Sequence, residues 1–219
     1  MRELPLFIRE ILSPEQVQQL LLFEELIREI NTRLNLISRR DIDWVWEHHI
    51  VPSLLFLAWW RLPAKVRVLD LGTGGGFPGI PLAIAHPDTP FLLLDSTRKK
   101  VEGVREMVAQ LGLSDRVEVR WGRAEECRER FLIVVGRAVA PLPRFLGWVR
   151  RLLLPEGEVY YYTGMPWGPL PAGWQAAFHA FRDVLLDEPY VAAKGILHLR
   201  FSSSLPDHKN RQSNPPERR

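Results

Sequence analysis

The sequence predicts an α/β protein: a doubly wound, mainly parallel sheet behind an N-terminal helical extension. Three observations carry that expectation. From Val66 onward, short apolar runs alternate with amphipathic segments, as strands buried on both faces alternate with the helices that cover them. One such run ends at Asp70 and passes straight into a glycine-rich turn, the junction at which doubly wound sheets bind ligands. Before Leu62 the apolar residues recur instead at helical spacing.

The extension, residues 1–62, begins its main helix at Ser13. Ser13 is a suitable N-cap, Pro14 fits the first turn, and Gln16 completes a Ser-x-x-Gln capping box. Val17, Leu20, Leu21, Ile27, Ile30 and Leu34 then form one apolar stripe, which predicts a helix over 13–34. A second helix is expected over 44–60, kinked or split at Pro52, because proline has no N–H to give the preceding turn. In the sheet domain, residues 63–202, strands are expected over 66–70, 91–95, 117–121, 132–136, 159–162 and 196–202. Helices are expected over 80–85, 99–111, 142–153 and 172–181. Pro166, Pro169 and Pro171 with Gly164, Gly168 and Gly173 mark 164–173 as a loop. Residues 203–219 are polar, charged and proline-bearing, so a basic, disordered tail is expected there.

With 219 residues, 46% of them apolar, the chain can bury a full domain core. A charged fraction of 25% is that of an ordinary folded domain and excludes disorder as the main state. No stretch reaches the ~18 apolar residues that cross a bilayer. Charges interrupt the N-terminal MRELPLFIRE, which does not read as a secretory signal. The single cysteine, Cys127, excludes an internal disulfide and a cysteine-rich zinc site, and no metal is expected. A cytoplasmic monomer with no membrane partner is the expectation. Of the net charge of +3, the tail supplies two, through Lys209, Arg211, Arg218 and Arg219 against Asp207 and Glu217. The pI of about 9.2 therefore does not by itself argue for nucleic acid. Local clusters at Arg33, Arg39 and Arg40, and at Arg144, Arg150 and Arg151, read either as solvated faces or as RNA contacts.

The glycine turn admits two readings. Gly74-Gly75-Gly76-Phe77-Pro78-Gly79 satisfies G-x-G-x-x-G, with Asp95 near the ~20-residue spacing of a dinucleotide site. From Asp70 the same stretch is D-x-G-x-G-x-G and resembles the loop of class I S-adenosylmethionine-dependent methyltransferases. The second reading is favoured, with Asp70, Gly72 and Gly74 as cofactor-binding residues. The acid closes the strand directly before the glycines, and Pro78 sits where a pyrophosphate would need N–H donors. Asp95, closing the next strand, suits two ribose hydroxyls, because a carboxylate accepts more than one hydrogen bond.

The whole run from Gly72 through Thr73, Gly74, Gly75, Gly76, Phe77, Pro78, Gly79, Ile80 and Pro81 to Leu82 closely resembles the RsmG (GidB) family of 16S ribosomal RNA guanine-N7 methyltransferases. The similarity continues in Leu93-Leu94-Asp95-Ser96, Lys99-Lys100, Gly122-Arg123-Ala124-Glu125-Glu126 and Arg137-Ala138. Upstream it includes Leu34-Asn35-Leu36, Arg40-Asp41, and His49-Ile50 with Ser53, so that it covers most of residues 13–165. The resemblance implies a seven-stranded, Rossmann-like class I methyltransferase sheet, S-adenosyl-L-methionine as cofactor, and 16S ribosomal RNA or the small ribosomal subunit as partner. By the same resemblance, Gly72, Gly74 and Phe77 would line the methionine side, Asp95 and Ser96 the ribose, and Ala124 and Glu125 the adenine. Arg137 would lie near both cofactor and target base, with Arg123 and Asn35 as further catalytic or RNA-contacting candidates. Each has a plainer alternative: Arg123 and Arg137 as salt-bridge arginines, Asn35 as a helix C-cap, His49 as a packed histidine.

The chain also departs from the family pattern. Where the family has Arg-His-Ile-x-Asp-Ser, this sequence has His48-His49-Ile50-Val51-Pro52-Ser53; the family's Lys-Gly after the fifth strand is Thr163-Gly164. The family's arginine near the C-terminal strand has no equivalent around Lys194–His198. These positions bear on the acceptor rather than the cofactor. They keep open a methyltransferase with a small-molecule or protein substrate, or a non-catalytic relative that binds cofactor or RNA.

Guanine N7 has an in-plane lone pair and attacks a sulfonium methyl without first losing a proton, so alignment supplies most of the catalysis. Carbon-5 methylation of a pyrimidine would need a cysteine nucleophile, and Cys127 lies in Glu-Glu-Cys-Arg, away from the expected catalytic loop. Asn214-Pro215-Pro216-Glu217 imitates an amine-methylating loop but sits in the tail without the aromatic residue. An RNA target would be unpaired or extruded. Trp167 and Trp174 are the candidates for stacking on it, with Trp59, Trp60 and Trp148 as packing residues.

Overall fold

The computed structural model describes residues 3–185 and 189–202. The expected tail, with its Asn214-Pro215 motif, lies outside the described residues. An unforeseen short helix, α1 (Leu6–Ile11), leads into α2 (Pro14–Asn31). The capping box forms as read: Gln16 N–H donates to Ser13 Oγ at 3.3 Å, and Ser13 N–H donates to Gln16 Oε1 at 2.8 Å. The helix stops before Leu34 because Asn31 Oδ1 accepts the N–H groups of Leu36 and Ile37, at 2.8 and 3.0 Å, turning the chain toward the sheet.

The single helix expected over 44–60 is a broken one. A 3-10 turn (Ile42–Trp44) and a π-helical turn (Trp46–Ile50) precede one α-turn, α3 (Val51–Leu54), and a second 3-10 turn (Leu55–Ala58). Pro52 offers no N–H, and the ladder widens just before it, where Val51 N–H reaches back to Trp46 O. Packing holds this irregular backbone, since Trp46, Ile50, Leu54, Leu55 and Phe56 are all buried.

The sheet has seven strands: β1 (Val68–Leu71), β2 (Phe91–Asp95), β3 (Val117–Trp121), β4 (Phe131–Arg137), β5 (Leu153–Gly164), β6 (Trp174–Ala180) and β7 (Lys194–Phe201). Their spatial order is β3-β2-β1-β4-β5-β7-β6. The first five are parallel, while β7 runs antiparallel to both β5 and β6. Helices α4 (Gly79–Ala85), α5 (Arg98–Gln110) and α6 (Leu142–Leu152) make the crossovers.

The expected helix over 172–181 is instead the edge strand β6. Its alanines suit a helix locally, but every residue from Trp174 to Ala180 pairs with β7, from Trp174↔Phe201 to Ala180↔Gly195. Pairing covers an otherwise open edge and overrides a weak local preference.

Alternation along the strands sorts the core into two layers, because successive side chains point to opposite faces. Val68, Phe91, Leu93, Ile133, Val135 and Tyr160 meet α2, α4, α5 and the 42–58 segment on one face. Leu69, Leu92, Leu94, Val134 and Tyr161 meet α6 on the other. The N-terminal extension thus shares one hydrophobic core with the sheet.

Candidate active site

A cavity of about 570 Å³ opens at the C-terminal ends of β1, β2 and β4. Its floor is the turn after β1, held to β2 by Gly72 N–H and Thr73 N–H, which both donate to Leu94 O. Gly74 has φ +59°, a conformation that favours glycine, and the space where a Cβ would stand is open to the cavity.

Two carboxylates frame this turn in different ways. Asp95 sits at the end of β2 with Oδ2 accepting Gly74 N–H at 2.9 Å and Oδ1 accepting Thr97 N–H at 2.8 Å. Each oxygen keeps a second lone pair for a ligand hydroxyl. Asp70 is fully buried and does not reach the cavity; its Oδ2 accepts Gly79 N–H at 2.9 Å and so fixes the start of α4. The fit is close: a Cβ on Gly79 would stand 2.5 Å from that oxygen. Burial pushes the Asp70 carboxyl up to about 7, against the Thr73 hydroxyl, the Gly79 N–H and the charge of Arg137.

The N-terminus of α4 offers no anion cradle. Gly79 N–H is taken by Asp70, Ile80 N–H by Gly76 O, and Pro78 and Pro81 have none. A pyrophosphate would find no donors there.

Of the residues singled out from the sequence, Gly72, Gly74, Phe77, Asp95, Ser96, Ala124, Glu125, Arg123 and Arg137 line the cavity, and Asp70 lies beneath it. Asn35 is exposed beside it; its neighbours Leu36 and Ile37 form the wall. Asn35 does not cap α2, since Asn31 ties down the chain that follows. Arg123 is exposed and, among the described residues, in no ion pair. Lys100 and Arg144 add two further cations to the rim that motif reasoning did not single out for this site.

Arg137 is the hinge of the site. Its guanidinium lies over the Phe77 ring, 4.9 Å from the centroid, and its Nη2 donates to His49 Nδ1 at 2.6 Å. Arginine only donates, so Nδ1 accepts and the imidazole proton sits on Nε2. Burial and the neighbouring Arg137 charge push His49 down to about 3, which keeps it neutral. His49 is a packed histidine, as its plainer alternative has it, with its ring centroid 5.1 Å from that of Phe77, and it also orients the arginine. Only the adjacency of Arg137 and His49 in space could have revealed the pair, and they are far apart in the chain.

Behind Arg137 and Ala138 lies a second cavity, of about 250 Å³, that shares those two residues with the first. Tyr162 closes its base, donating from its hydroxyl to Ser53 O at 2.8 Å. The expected stacking residues lie elsewhere: Trp174 is buried in β6, and Trp167 packs on Phe178 with centroids 4.8 Å apart. Both belong to the core layer on the α6 face, packed against Phe178 of β6 and Phe201 of β7, and neither lines the cleft. The exposed indoles are Trp44 and Trp121.

The strand order, the glycine turn after β1 and the acid closing β2 define a Rossmann-like, class I methyltransferase fold. The family model for rRNA small subunit methyltransferase G (GidB) matches residues 16–166, and the chain belongs to that family. It is 43% identical over 145 residues to ribosomal RNA small subunit methyltransferase G of Cytophaga hutchinsonii, covering 66% of this chain and 70% of the relative. To the protein of the same name from Bacteroides fragilis it is 45% identical over 147 residues, covering 67% and 71%. Among solved structures, a mutant of MtNAS in complex with S-adenosylmethionine superposes with a TM-score of 0.58 at 19% identity, over 83% of this chain and 72% of that one. At that identity the likeness speaks for the fold.

Proposed function

We propose that this protein transfers the methyl group of S-adenosylmethionine to N7 of a guanine in 16S ribosomal RNA, acting as a cytoplasmic monomer on the small subunit or its RNA. The observation that carries the reading is Asp95, preset by two backbone N–H groups at the end of β2 with a lone pair on each oxygen left for a ribose. A cavity of about 570 Å³ is of ordinary size for such a ligand, and the donor-poor start of α4 suits a ligand without a pyrophosphate. When bound, the cofactor supplies an electrophilic methyl on a positively charged sulfur. The names carried by the relatives support ribosomal RNA as the acceptor.

What the chain's own residues do is hold and orient. Phe77 and Arg137 form the cleft's inner end, and neutral His49 keeps the guanidinium aimed there. His49 cannot serve as a base through Nδ1, which is occupied by Arg137. That arrangement suits N7, whose lone pair needs alignment and no deprotonation. A second reading, transfer to a different acceptor, has one observation in its favour: His48, Pro52 and Thr163, where the chain departs from the family pattern, all line the cavity behind Arg137.

The test is to incubate the purified protein with methyl-labelled S-adenosylmethionine and unmodified small subunits, with free RNA in parallel. Label recovered as 7-methylguanosine is expected. Cofactor binding by calorimetry without transfer to either RNA form would favour the second reading, and no cofactor binding would overturn both.

A further inference from the structure

The 250 Å³ cavity is lined by two cations, Arg137 and Lys194, and by no carboxylate among the described residues. Lys194 Nζ lies 3.0 Å from the centroid of the Tyr190 ring. The His48 ring lies 3.4 Å from the same centroid at an interplanar angle of 7°. Two groups at that distance cannot share a face, so Tyr190 is sandwiched between His48 and the ammonium group. His48 is in turn held by Asp41, whose Oδ1 lies 3.2 Å from His48 Nδ1. Among the described residues Lys194 has no ion-pair partner, because the nearby carboxylate is engaged with the histidine.

A small, flat-walled chamber with donors and no acceptor charge suits a planar group rich in carbonyl oxygen. The purines differ on this point. Guanine presents O6 and N7 as acceptors on one edge, whereas adenine presents a donor amine at the same place. In N7 methylation that nitrogen's lone pair must stay free for the methyl, which leaves O6 for the protein. We propose that the cavity behind Arg137 receives the acceptor base and that Lys194 determines its identity by donating to O6 of guanine. The assignment rests on the methyl-transfer reading above and names the residue that selects the base. Arg137 and Ala138, common to both cavities, join the chamber to the cleft, and Lys194 shares the chamber with them close enough to feel the Arg137 charge, so the one edge that carries N7 and O6 can face both.

Burial and the charge of Arg137 push Lys194 down to about 8, with Asp41 opposing. Among the described residues the groups around it are Tyr190, Arg137, His48, His49 and Asp41. The ammonium form is the donor, so base recognition weakens as pH rises through about 8.

The experiment measures kcat and KM for unmodified small subunits across pH 6.5 to 9.5 with wild type, Lys194→Met and Lys194→Arg, and cofactor affinity by calorimetry. Lys194→Met is expected to lower kcat/KM roughly 10- to 100-fold, the scale of one charged hydrogen bond, with cofactor affinity unchanged. The alkaline fall near pH 8 should vanish in Lys194→Met and move upward in Lys194→Arg, which should recover part of the activity. Wild-type kcat/KM in Lys194→Met overturns the assignment. So does a lowered melting temperature with no rescue by arginine and an unmoved pH limb, which would make Lys194 a packing residue. Wild type that binds cofactor but labels no RNA would defeat the guanine-N7 reading on which the assignment rests, and is recognised before any variant is made.

Discussion

The two cavities meet at Arg137 but are built on different principles. The larger is made chiefly of main chain: a turn hung from β2 by Gly72 and Thr73, and a carboxylate set by the N–H groups of Gly74 and Thr97. Its lining comes from the turn after β1 and the ends of β2, β3 and β4, with Leu36 and Ile37 of the extension as one wall and Arg144 and Trp148 of α6 at the rim. The smaller is made of side chains drawn from separated parts of the chain: 48–52, 137–138, 162–164, and then Phe181, Tyr190 and Lys194. Backbone geometry admits few substitutions, since changing one residue shifts its neighbours. A chamber of side chains can be retuned one position at a time. The departures from the family pattern at His48, Pro52 and Thr163 fall in the second cavity and leave the first untouched.

The sharpest way to break this comparison is Asp95→Ala. It removes the acceptor of two backbone N–H groups and of any ligand hydroxyl. Cofactor affinity should fall roughly 100-fold or more, because hydrogen bonds to a charged group are worth ~1.5–3 kcal/mol each. Calorimetry with S-adenosylmethionine checks it, and near-wild-type affinity would mean that the cleft is not the cofactor site. Next in size is the link between the cavities. His49→Leu leaves a partly buried Arg137 without its acceptor, which should cost about 1–3 kcal/mol of stability and lower kcat/KM roughly 10-fold. Glutamine offers an acceptor oxygen in place of Nδ1, so His49→Gln should restore most of both. Equal losses in the two variants would show that ring packing on Phe77, not the hydrogen bond, is what matters at this position.

The same contrast explains what the sequence made readable. The capping box at Ser13 and Gln16, the glycine turn and the acids closing β1 and β2 are local patterns, and a local pattern forms wherever its few residues meet. The seven-residue strand β6 has the local pattern of a helix because its stability comes from pairing with β7 rather than from its own alanines. The pairing of Arg137 with His49 and the stack of His48, Tyr190 and Lys194 are likewise long-range. No spacing rule connects such residues. Motif reading therefore found the cleft's lining, while the second cavity emerged only when the N-terminal segment was seen against β5 and β7.

Asp70 offers a smaller and independent probe of the backbone-built side. Its carboxyl is raised in the folded protein to about 7 from an ordinary 3.8, so the folded state binds the proton more tightly than the unfolded chain. The associated stability is fully present below about pH 4 and is lost as pH rises through about 7. Asparagine can still accept Gly79 N–H through its carbonyl oxygen but carries no buried charge. Asp70→Asn should therefore match wild type near pH 4 and melt higher at pH 8, by an amount on the order of 1–3 kcal/mol. If Asp70→Asn instead melts lower at pH 8, the charge itself holds the turn, for example through Arg137, and burial is not the dominant effect.

The smallest expected effect tests the rim. Arg123 is exposed and unpaired among the described residues, in contrast to the bridged Arg67 and Arg120. A free guanidinium beside the cleft is suited to an RNA phosphate, and the binding energy then comes from counterion release. Arg123→Ala should weaken binding to small-subunit RNA only a few-fold at moderate salt. It should also reduce the slope of log affinity against log salt by about 0.7 to 0.9, one phosphate contact. Alanine at Arg67 should leave that slope unchanged, because its guanidinium is already engaged by Glu118 and Glu129. An identical slope in wild type and Arg123→Ala would remove Arg123 from the RNA contact. The difference between an arginine that holds the fold and one that holds RNA would then have to be sought at Lys100 or Arg144.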